Sequence, residues 1–194
     1  MSEVVLKTVY FKKAGKDNTE RVLDVAAVRA ADLGINSIIV ATTTGETGIK
    51  TTKKFSGKSV VSVTHSTGFK GPNEQEVSKE NRDLIYSLGG KVLTTTHAFG
   101  GVNRGIRKKM NTFQVDEIIA FTLRIFGEGM KVVAEIALMA ADAGLAQVGE
   151  PTLVIAGTGR GADTAVILTP AHAQSFFDLK ILEIICMPSP HLSA

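Results

Sequence analysis

The sequence contains little cysteine, little proline and no tryptophan. The single cysteine, Cys186, excludes an internal disulfide framework and a cysteine-rich zinc site. Five prolines against 19 glycines indicate short glycine turns rather than proline-rich linkers. No apolar run reaches the length of about 18 residues that a transmembrane helix needs, and the N-terminus lacks the apolar stretch of a signal peptide. These absences predict a cytoplasmic protein with no membrane partner and no metal site.

The composition that is present is typical of one globular domain. The chain has 194 residues, of which 44% are hydrophobic and 21% charged, enough to bury a sizeable core. Its net charge is only +3. The one dense basic cluster comprises Arg104, Arg107, Lys108 and Lys109. We interpret it as the solvated face of a helix; the alternative is a phosphate-facing patch, which no aromatic RNA-binding pattern supports. We therefore predict no nucleic-acid partner, and we leave a homo-oligomer open.

Helical and strand patterns alternate along the chain. Short apolar runs predict strands at 37–41, 58–64, 91–95, 151–156, 164–168 and 180–186. Segments with helical periodicity lie at about 17–33, 46–55, 74–88, 114–126 and 129–143. Asp17 and Glu20 resemble a capping box at the start of the first helix. The helix at 74–88 should turn Val77, Leu84, Ile85 and Leu88 inward, and the helix at 114–126 should bury Val115, Ile118, Ile119, Thr122 and Phe126.

Strands that are apolar on both faces and separated by helices imply a mostly parallel sheet covered on both sides. The strands at 151–156 and 164–168 are joined by a loop too short for a crossover, so this pair should be antiparallel. The predicted fold is therefore a three-layer α/β/α domain over residues 1–194, with a mostly parallel mixed sheet. Functional groups in such a sheet gather at the carboxyl ends of its parallel strands.

The strongest local pattern follows the strand at 37–41, directly before a predicted helix. It consists of Thr42, Thr43, Thr44, Gly45, Glu46, Thr47 and Gly48. Hydroxyls, glycines and a helix N-terminus together suit a phosphate, which needs many donors and a positive dipole end. The segment is neither a Walker loop nor a dinucleotide fingerprint. The alternative is a helix N-cap with spare hydroxyls.

A second glycine-rich segment joins the strands at 151–156 and 164–168. It contains Gly157, Gly159, Arg160, Gly161 and Thr164. Arg160 can pair bidentately with a phosphate. The alternative is a flexible hairpin connection that carries a solvated arginine.

Two strand ends have related sequences. The strand at 58–64 is followed by His65 and Thr67, and the strand at 91–95 by Thr96, His97 and Phe99. In a parallel sheet both ends project towards the threonine-rich loop formed by residues 42–48, which predicts one shared pocket. Neither histidine has a carboxylate at metal-binding spacing, and the sequence offers no evident acid/base pair. Cys186 lies in an apolar run and is interpreted as a buried small hydrophobe.

The stretch from Val25 to His65 resembles the C-terminal α/β domain of pyruvate kinase. The residues that carry the resemblance are Ala26, Ala27 and Ala30, then SIIVATTTGETG and KFSGKSVVSVTH. The segment VIAGTGRGADTAVIL resembles that domain's final glycine-rich loop and last strand. We expect a stand-alone domain of this type rather than a pyruvate kinase, because the catalytic barrel alone needs roughly 250 residues.

The resemblance implies a ligand for these loops. In pyruvate kinases the two loops together hold a sugar-bisphosphate activator, so Thr42–Thr47 would hold a phosphate and Gly159–Thr164 would close over the ligand. This sequence departs from the pattern because its first loop carries Glu46 and no basic residue. Resemblance to the small archaeal and bacterial proteins of this type suggests flavin mononucleotide (FMN) as the cofactor.

Three functions remain open at this point. The first is an FMN-binding protein, with or without redox activity, whose flavin ring lies against His65, His97 and Phe99. The second is a non-catalytic sensor that binds a sugar phosphate or a nucleotide. The third is a hydrolase or transferase that acts on a phosphorylated substrate through His65 or His97. We rank it last because neither histidine has a visible orienting partner in the sequence.

Overall fold

The computed structural model describes residues 3–189. The strands are β1 (Val9–Phe11), β2 (Ser37–Ala41), β3 (Ser59–Val63), β4 (Lys91–Leu93), β5 (Thr152–Ala156), β6 (Thr164–Thr169) and β7 (Lys180–Pro188). The helices are α1 (Thr19–Asp32), α2 (Glu46–Lys54), α3 (Lys79–Ser87), α4 (Gly101–Met110), α5 (Val115–Arg124) and α6 (Glu128–Asp142). Two 3₁₀ segments lie at Lys16–Asn18 and Ala173–Asp178.

All seven strands form one mixed sheet in the order β1-β7-β6-β5-β2-β3-β4. The pairs β5–β6 and β6–β7 are antiparallel and the other four pairs are parallel. The predicted antiparallel pairing of the strands at 151–156 and 164–168 is therefore confirmed. The sequence patterns did not predict β1. Its apolar run of three residues lies between lysines and is too short to be recognised as a strand.

Helices cover both faces of the sheet, as the three-layer prediction required. On one face, Val22 and Leu23 of α1 pack against Ile38 of β2 and Leu153 of β5. On the other face, α6 lies on the sheet and α5 packs outside α6. Helix α6 is buried almost all round because it is enclosed between the sheet and α5. Cys186 is fully buried in the core, and this burial raises the pKa of its thiol to about 12.

The chain reverses its direction across the sheet at β2. From β2 it moves outward to β3 and then to β4, and after α6 it returns to β5 on the opposite side of β2. Strands β2 and β5 run parallel and in contact, with Ile38 opposite Leu153 and Val40 opposite Ile155. Such a reversal leaves a crevice outside the carboxyl ends of the two strands. The threonine-rich loop follows β2 and the glycine-rich loop follows β5, so both loops meet at this crevice.

Three details of the predicted helices were wrong. The helix predicted at 74–88 begins only at Lys79, because the Ser78 side chain caps it by accepting the N–H of Asn81 (3.1 Å). Before the cap, the Gln75 side chain accepts the Val77 N–H and holds the chain in a turn. Leu84, expected inward, is exposed. At α1 the residue before the helix is Asn18, so Asp17 lies within the preceding 3₁₀ segment and is not the cap.

The buried face of α5 also differs from the prediction. Val115, Ile118 and Phe126 are exposed, whereas Glu117 and Ala120 are buried. Glu117 receives a hydrogen bond from Arg107 of α4 (2.5 Å), which turns this carboxylate towards the neighbouring helix. The inward face is therefore fixed by contacts with α4 and α6, and hydrophobic spacing alone selected the opposite face.

Candidate functional site

A cavity of about 720 Å³ opens at the carboxyl ends of the central parallel strands. Eleven of the predicted site residues line it: Thr42, Thr43, Thr44, Glu46, Thr47, His65, His97, Gly157, Gly159, Arg160 and Gly161. The fold therefore brings the two loops and the two histidines to one place. They come from β2, β3, β5 and the segment after β4, because the parallel strands all end at this edge of the sheet.

Six other predicted residues do not line the cavity. They are Gly45, Gly48, Thr67, Thr96, Phe99 and Thr164. The ring of Phe99 lies in the core, 5% exposed, in an edge-to-face contact with Phe176. Thr164 is buried and its hydroxyl donates to Asp163. The expected contact of Phe99 with a ligand ring is therefore not possible in this arrangement.

The threonine-rich loop forms a cradle of free backbone N–H groups. The Thr42 side chain accepts the N–H groups of Gly45 (3.1 Å) and Gly48 (3.3 Å), which closes part of the first turn of α2. Within residues 3–189, the remaining N–H groups of this turn have no acceptor; they belong to Thr43, Thr44, Glu46 and Thr47. We call these four groups the amide cradle. Its donors lie at the positive end of a helix dipole, which suits an anion.

Gly45 is required by the backbone conformation and by close packing. Its φ is +99°, in the region that side chains disfavour. An added Cβ would lie 2.7 Å from Cβ of Asn81. The Asn81 side chain itself donates to the carbonyl oxygen of Thr44 (2.8 Å) and so fixes the loop against α3. This glycine therefore shapes the amide cradle without facing the cavity.

The glycine-rich loop is anchored at its base by Asp163. This fully buried carboxylate accepts the N–H groups of Gly15 (2.8 Å) and Thr158 (3.0 Å), and its other oxygen accepts the Thr164 hydroxyl (2.8 Å). The Ala162 N–H is bound by the Thr19 hydroxyl. Only the tip around Arg160 extends towards solvent. The loop is thus tied to the turn before α1, and the sequence did not predict this tie.

Each cavity histidine has a carboxylate partner. Nδ1 of His65 lies 2.6 Å from Oε2 of Glu76, and Nδ1 of His97 lies 3.6 Å from Oε2 of Glu135. Nε2 of His97 accepts the N–H of Ser66 (3.3 Å), which assigns the ring proton to Nδ1. The orienting partners that were not visible in the sequence are therefore present in the fold. The partners lie 11 and 38 residues away along the chain, beyond the reach of any local motif.

An aromatic wall lies beside the histidines. Phe69 stacks on His97 with ring centroids 5.0 Å apart and contacts His65 at 4.2 Å. The guanidinium of Arg104 lies over the same phenyl ring, 5.0 Å from its centroid. Phe69, and not Phe99, is therefore the phenylalanine of this site. Arg104 belongs to the basic cluster that was interpreted as a solvated face, and it turns to the cavity instead.

The cavity floor carries a buried charge network on α6. The Glu135 side chain binds the Lys131 ammonium and accepts the Phe99 N–H, and both charged side chains are less than a tenth exposed. Burial opposes ionisation of Glu135, but the neighbouring His97 and Lys131 outweigh it and lower the pKa of Glu135 to about 2. The carboxylate is therefore ionised, and it links α6 to the loop that bears His97.

Charged side chains from several elements complete the lining. The cationic ones are Lys16, Lys50, Arg104, Arg124, Lys131 and Arg160, and the acidic ones are Asp17, Glu46, Glu128 and Glu135. Lys50 pairs with Glu20, and Arg124 pairs with Glu128. Of these residues, Glu46 and Arg160 were predicted at the site from the sequence; for Lys131 and Glu135 the one available signal was their helical spacing, four residues apart in an apolar helix. Among residues 3–189, no three metal-ligating side chains converge and no helix could cross a bilayer.

The fold and the cavity define a three-layer α/β domain whose candidate site lies where the strand order reverses. The chain belongs to the pyruvate kinase alpha/beta domain family, whose family model matches residues 20–168. Among solved structures, a pyruvate kinase from Cryptosporidium parvum is similar, with 16% sequence identity and a TM-score of 0.42. That match covers 79% of this chain and 23% of the pyruvate kinase.

Proposed function

We propose that the cavity binds a phosphate-bearing ligand, with FMN as the first candidate. The amide cradle carries this proposal, because its four residues line the cavity and their N–H groups have no acceptor in residues 3–189. A phosphate dianion would satisfy several of these donors at once. The cavity volume of about 720 Å³ lies in the range of small-molecule sites.

The aromatic wall suits the planar part of FMN. Phe69 and His97 form a stacked pair, with rings 13° from parallel, and the Arg104 guanidinium lies over the Phe69 ring, 5.0 Å from its centroid. Aromatic and guanidinium planes of this kind favour a flat conjugated ring. A bound flavin would supply redox chemistry, and the residues of this chain would bind it, orient it and set its electrostatic surroundings.

A regulatory function is the second candidate, and one contact favours it. Nη2 of Arg160 lies 3.7 Å from Oε1 of Glu76, across the mouth of the cavity. The phosphate of a sugar phosphate or nucleotide would compete with Glu76 for this guanidinium. Such a ligand would therefore change the contact between the glycine-rich loop and the segment before α3 without any chemical step. FMN, riboflavin and ribose 5-phosphate distinguish the two candidates, because only FMN carries both the ring and the phosphate.

The test removes the two cavity hydroxyls next to the amide cradle. The double change Thr43→Ala and Thr44→Ala should weaken FMN binding by about 10²- to 10⁴-fold, since it removes two hydrogen bonds to a charged group and each contributes roughly 1.5–3 kcal/mol. The measurement is FMN fluorescence quenching on titration with protein. Two exposed threonines outside the cavity lining provide the control, Thr112→Ala with Thr122→Ala. FMN affinity that is equal in both double variants would show that the two threonine hydroxyls do not contact the phosphate, and FMN that fails to bind the unaltered chain would contradict the FMN proposal itself.

A further inference from the structure

His65 and Glu76 form a carboxylate–imidazole pair in the wall of the cavity. The carboxylate of Glu76 binds Nδ1 of His65 at 2.6 Å and lies behind the ring, outside the cavity lining. Its side chain is 15% exposed and that of His65 is 33% exposed. Within residues 3–189 the second ring nitrogen, Nε2, has no hydrogen-bond partner. Fixing Nδ1–H on a carboxylate leaves Nε2 as a free proton acceptor, which is the arrangement of a general base.

The pair lies beside the amide cradle. Ala41 and Val63 are register partners on β2 and β3, and Thr43 and His65 each follow two residues later. The pairing continues one residue past the strands, where the Thr42 N–H donates to the carbonyl oxygen of Val63 (2.9 Å), so the threonine-rich loop and the segment with His65 leave the sheet next to each other. Both Thr43 and His65 line the same cavity. A phosphate on the cradle would therefore share this cavity with the ring of His65.

We propose that this cavity hydrolyses phosphomonoesters, with His65 as the general base and Glu76 as its positioning residue. The proposal rests on the phosphate site of the proposed function and adds an activity to it. Binding a phosphate beside a pre-oriented base is the main requirement for this chemistry, because phosphoryl transfer depends on positioning and electrostatic stabilisation. The substrate class is a phosphate monoester small enough for the cavity, and FMN itself belongs to this class.

The reaction consumes one water molecule. Nε2 of His65 takes a proton from this water while the oxygen of the water forms a bond to phosphorus. The bond between phosphorus and the ester oxygen breaks, and the ester oxygen leaves with the electron pair and takes a proton from solvent. His65 then returns its proton to solvent. The products are an alcohol and inorganic phosphate, and no atom changes oxidation state. Glu76 stays ionised throughout and stabilises the imidazolium that forms.

The experiment measures inorganic phosphate released from p-nitrophenyl phosphate, FMN and ribose 5-phosphate by the full chain. His65→Ala should lower kcat by roughly 10²- to 10⁴-fold, the usual contribution of a general base. Added imidazole should restore part of this loss, which a purely structural role of His65 would not allow. Glu76→Gln should lower kcat without raising KM, because it disturbs the base, keeps the amide cradle and releases Arg160 from its 3.7 Å contact with Glu76. FMN fluorescence should show that His65→Ala still binds FMN.

The matched control is His172→Ala. His172 also pairs through Nδ1 with a carboxylate, Asp142 at 3.2 Å, but this pair is half exposed and lies outside the cavity. This variant should release phosphate at the full rate. Two results would overturn hydrolysis while the proposed function stands: FMN binding with no phosphate release, or His65→Ala as active as the unaltered chain. An unaltered chain that neither binds FMN nor releases phosphate would instead refute the phosphate site.

Discussion

Glu135 shows how much of the site depends on one side chain. Its carboxylate receives the Lys131 ammonium and the Phe99 N–H and lies beside His97. A buried ion pair of this kind adds little net stability against an apolar replacement, but removal of one partner leaves a charge without compensation. The integrity of the cavity floor therefore depends on Glu135 more than on any exposed charge of the lining.

This dependence predicts that two glutamates of α6 contribute very differently to the free energy of unfolding. Glu135→Ala should lower the free energy of unfolding by about 3–5 kcal/mol, because it leaves Lys131 buried and unpaired. Glu128→Ala removes the partner of Arg124 in a pair that is one third exposed, and should cost about 1 kcal/mol or less. Urea denaturation of both variants measures the difference. Equal losses would show that Lys131 finds water or another partner once Glu135 is gone.

At the scale of elements, the glycine-rich loop is anchored at its base. The Asp163 carboxylate accepts the N–H groups of Gly15, in the turn before α1, and of Thr158, in the loop, and so joins the base of the loop to that turn. Gly161 packs closely there as well, since an added Cβ would lie 2.5 Å from Cα of Lys16. Any closing movement is therefore confined to the tip, from Thr158 to Arg160.

Asp163→Ala should release this loop. Each backbone N–H that loses a buried acceptor costs roughly 1–3 kcal/mol, so the variant should be less stable than the unaltered chain by about 3 kcal/mol. Amide hydrogen exchange should show faster exchange at Gly15 and Thr158, while the β2–β3 pair keeps its protection. Asp178→Ala, an exposed aspartate outside the loop, serves as the control and should change neither quantity. Unchanged protection at Gly15 would mean that packing at Gly161, and not Asp163, anchors the loop.

At the scale of the whole molecule, the buried network makes stability depend on pH. The folded pKa of Glu135 is about 2, below its ordinary value of 4.5, because His97 and Lys131 favour the ionised form. A lowered folded pKa stabilises the native state above the unfolded pKa, and this contribution disappears as the pH falls towards the folded pKa. The relevant window is therefore pH 4.5 down to about 2.

The unaltered chain should lose on the order of 3 kcal/mol more unfolding free energy between pH 5 and pH 2 than Glu135→Gln does. Denaturant melts of both proteins at half-unit pH intervals measure this difference. Subtracting the unfolding free energies of Glu135→Gln from those of the unaltered chain removes the contributions of the other carboxylates. Parallel curves for the two proteins across this window would show that Glu135 is not selectively stabilised as a carboxylate in the fold.

The local sequence determined most of the elements and the loops that meet at the site. The strand at 37–41 was predicted to the residue, because continuous apolar runs bounded by polar residues leave few alternatives. The short loop between 156 and 164 fixed an antiparallel pair for the same local reason. The threonine-rich and glycine-rich loops could be assigned to one sheet edge, since parallel strands end together.

Only the tertiary structure decided which side chains act together in the cavity. Glu76 reaches His65, Glu135 reaches His97 and Asp163 reaches Gly15 across separations of 11, 38 and 148 residues. Phe69 replaced Phe99 at the aromatic wall, and α5 buried the opposite face from the one that its apolar spacing indicated. Hydrophobic periodicity indicates which residues avoid water. It does not indicate which neighbour each residue packs against, because the packing partner depends on how the chain crosses the sheet.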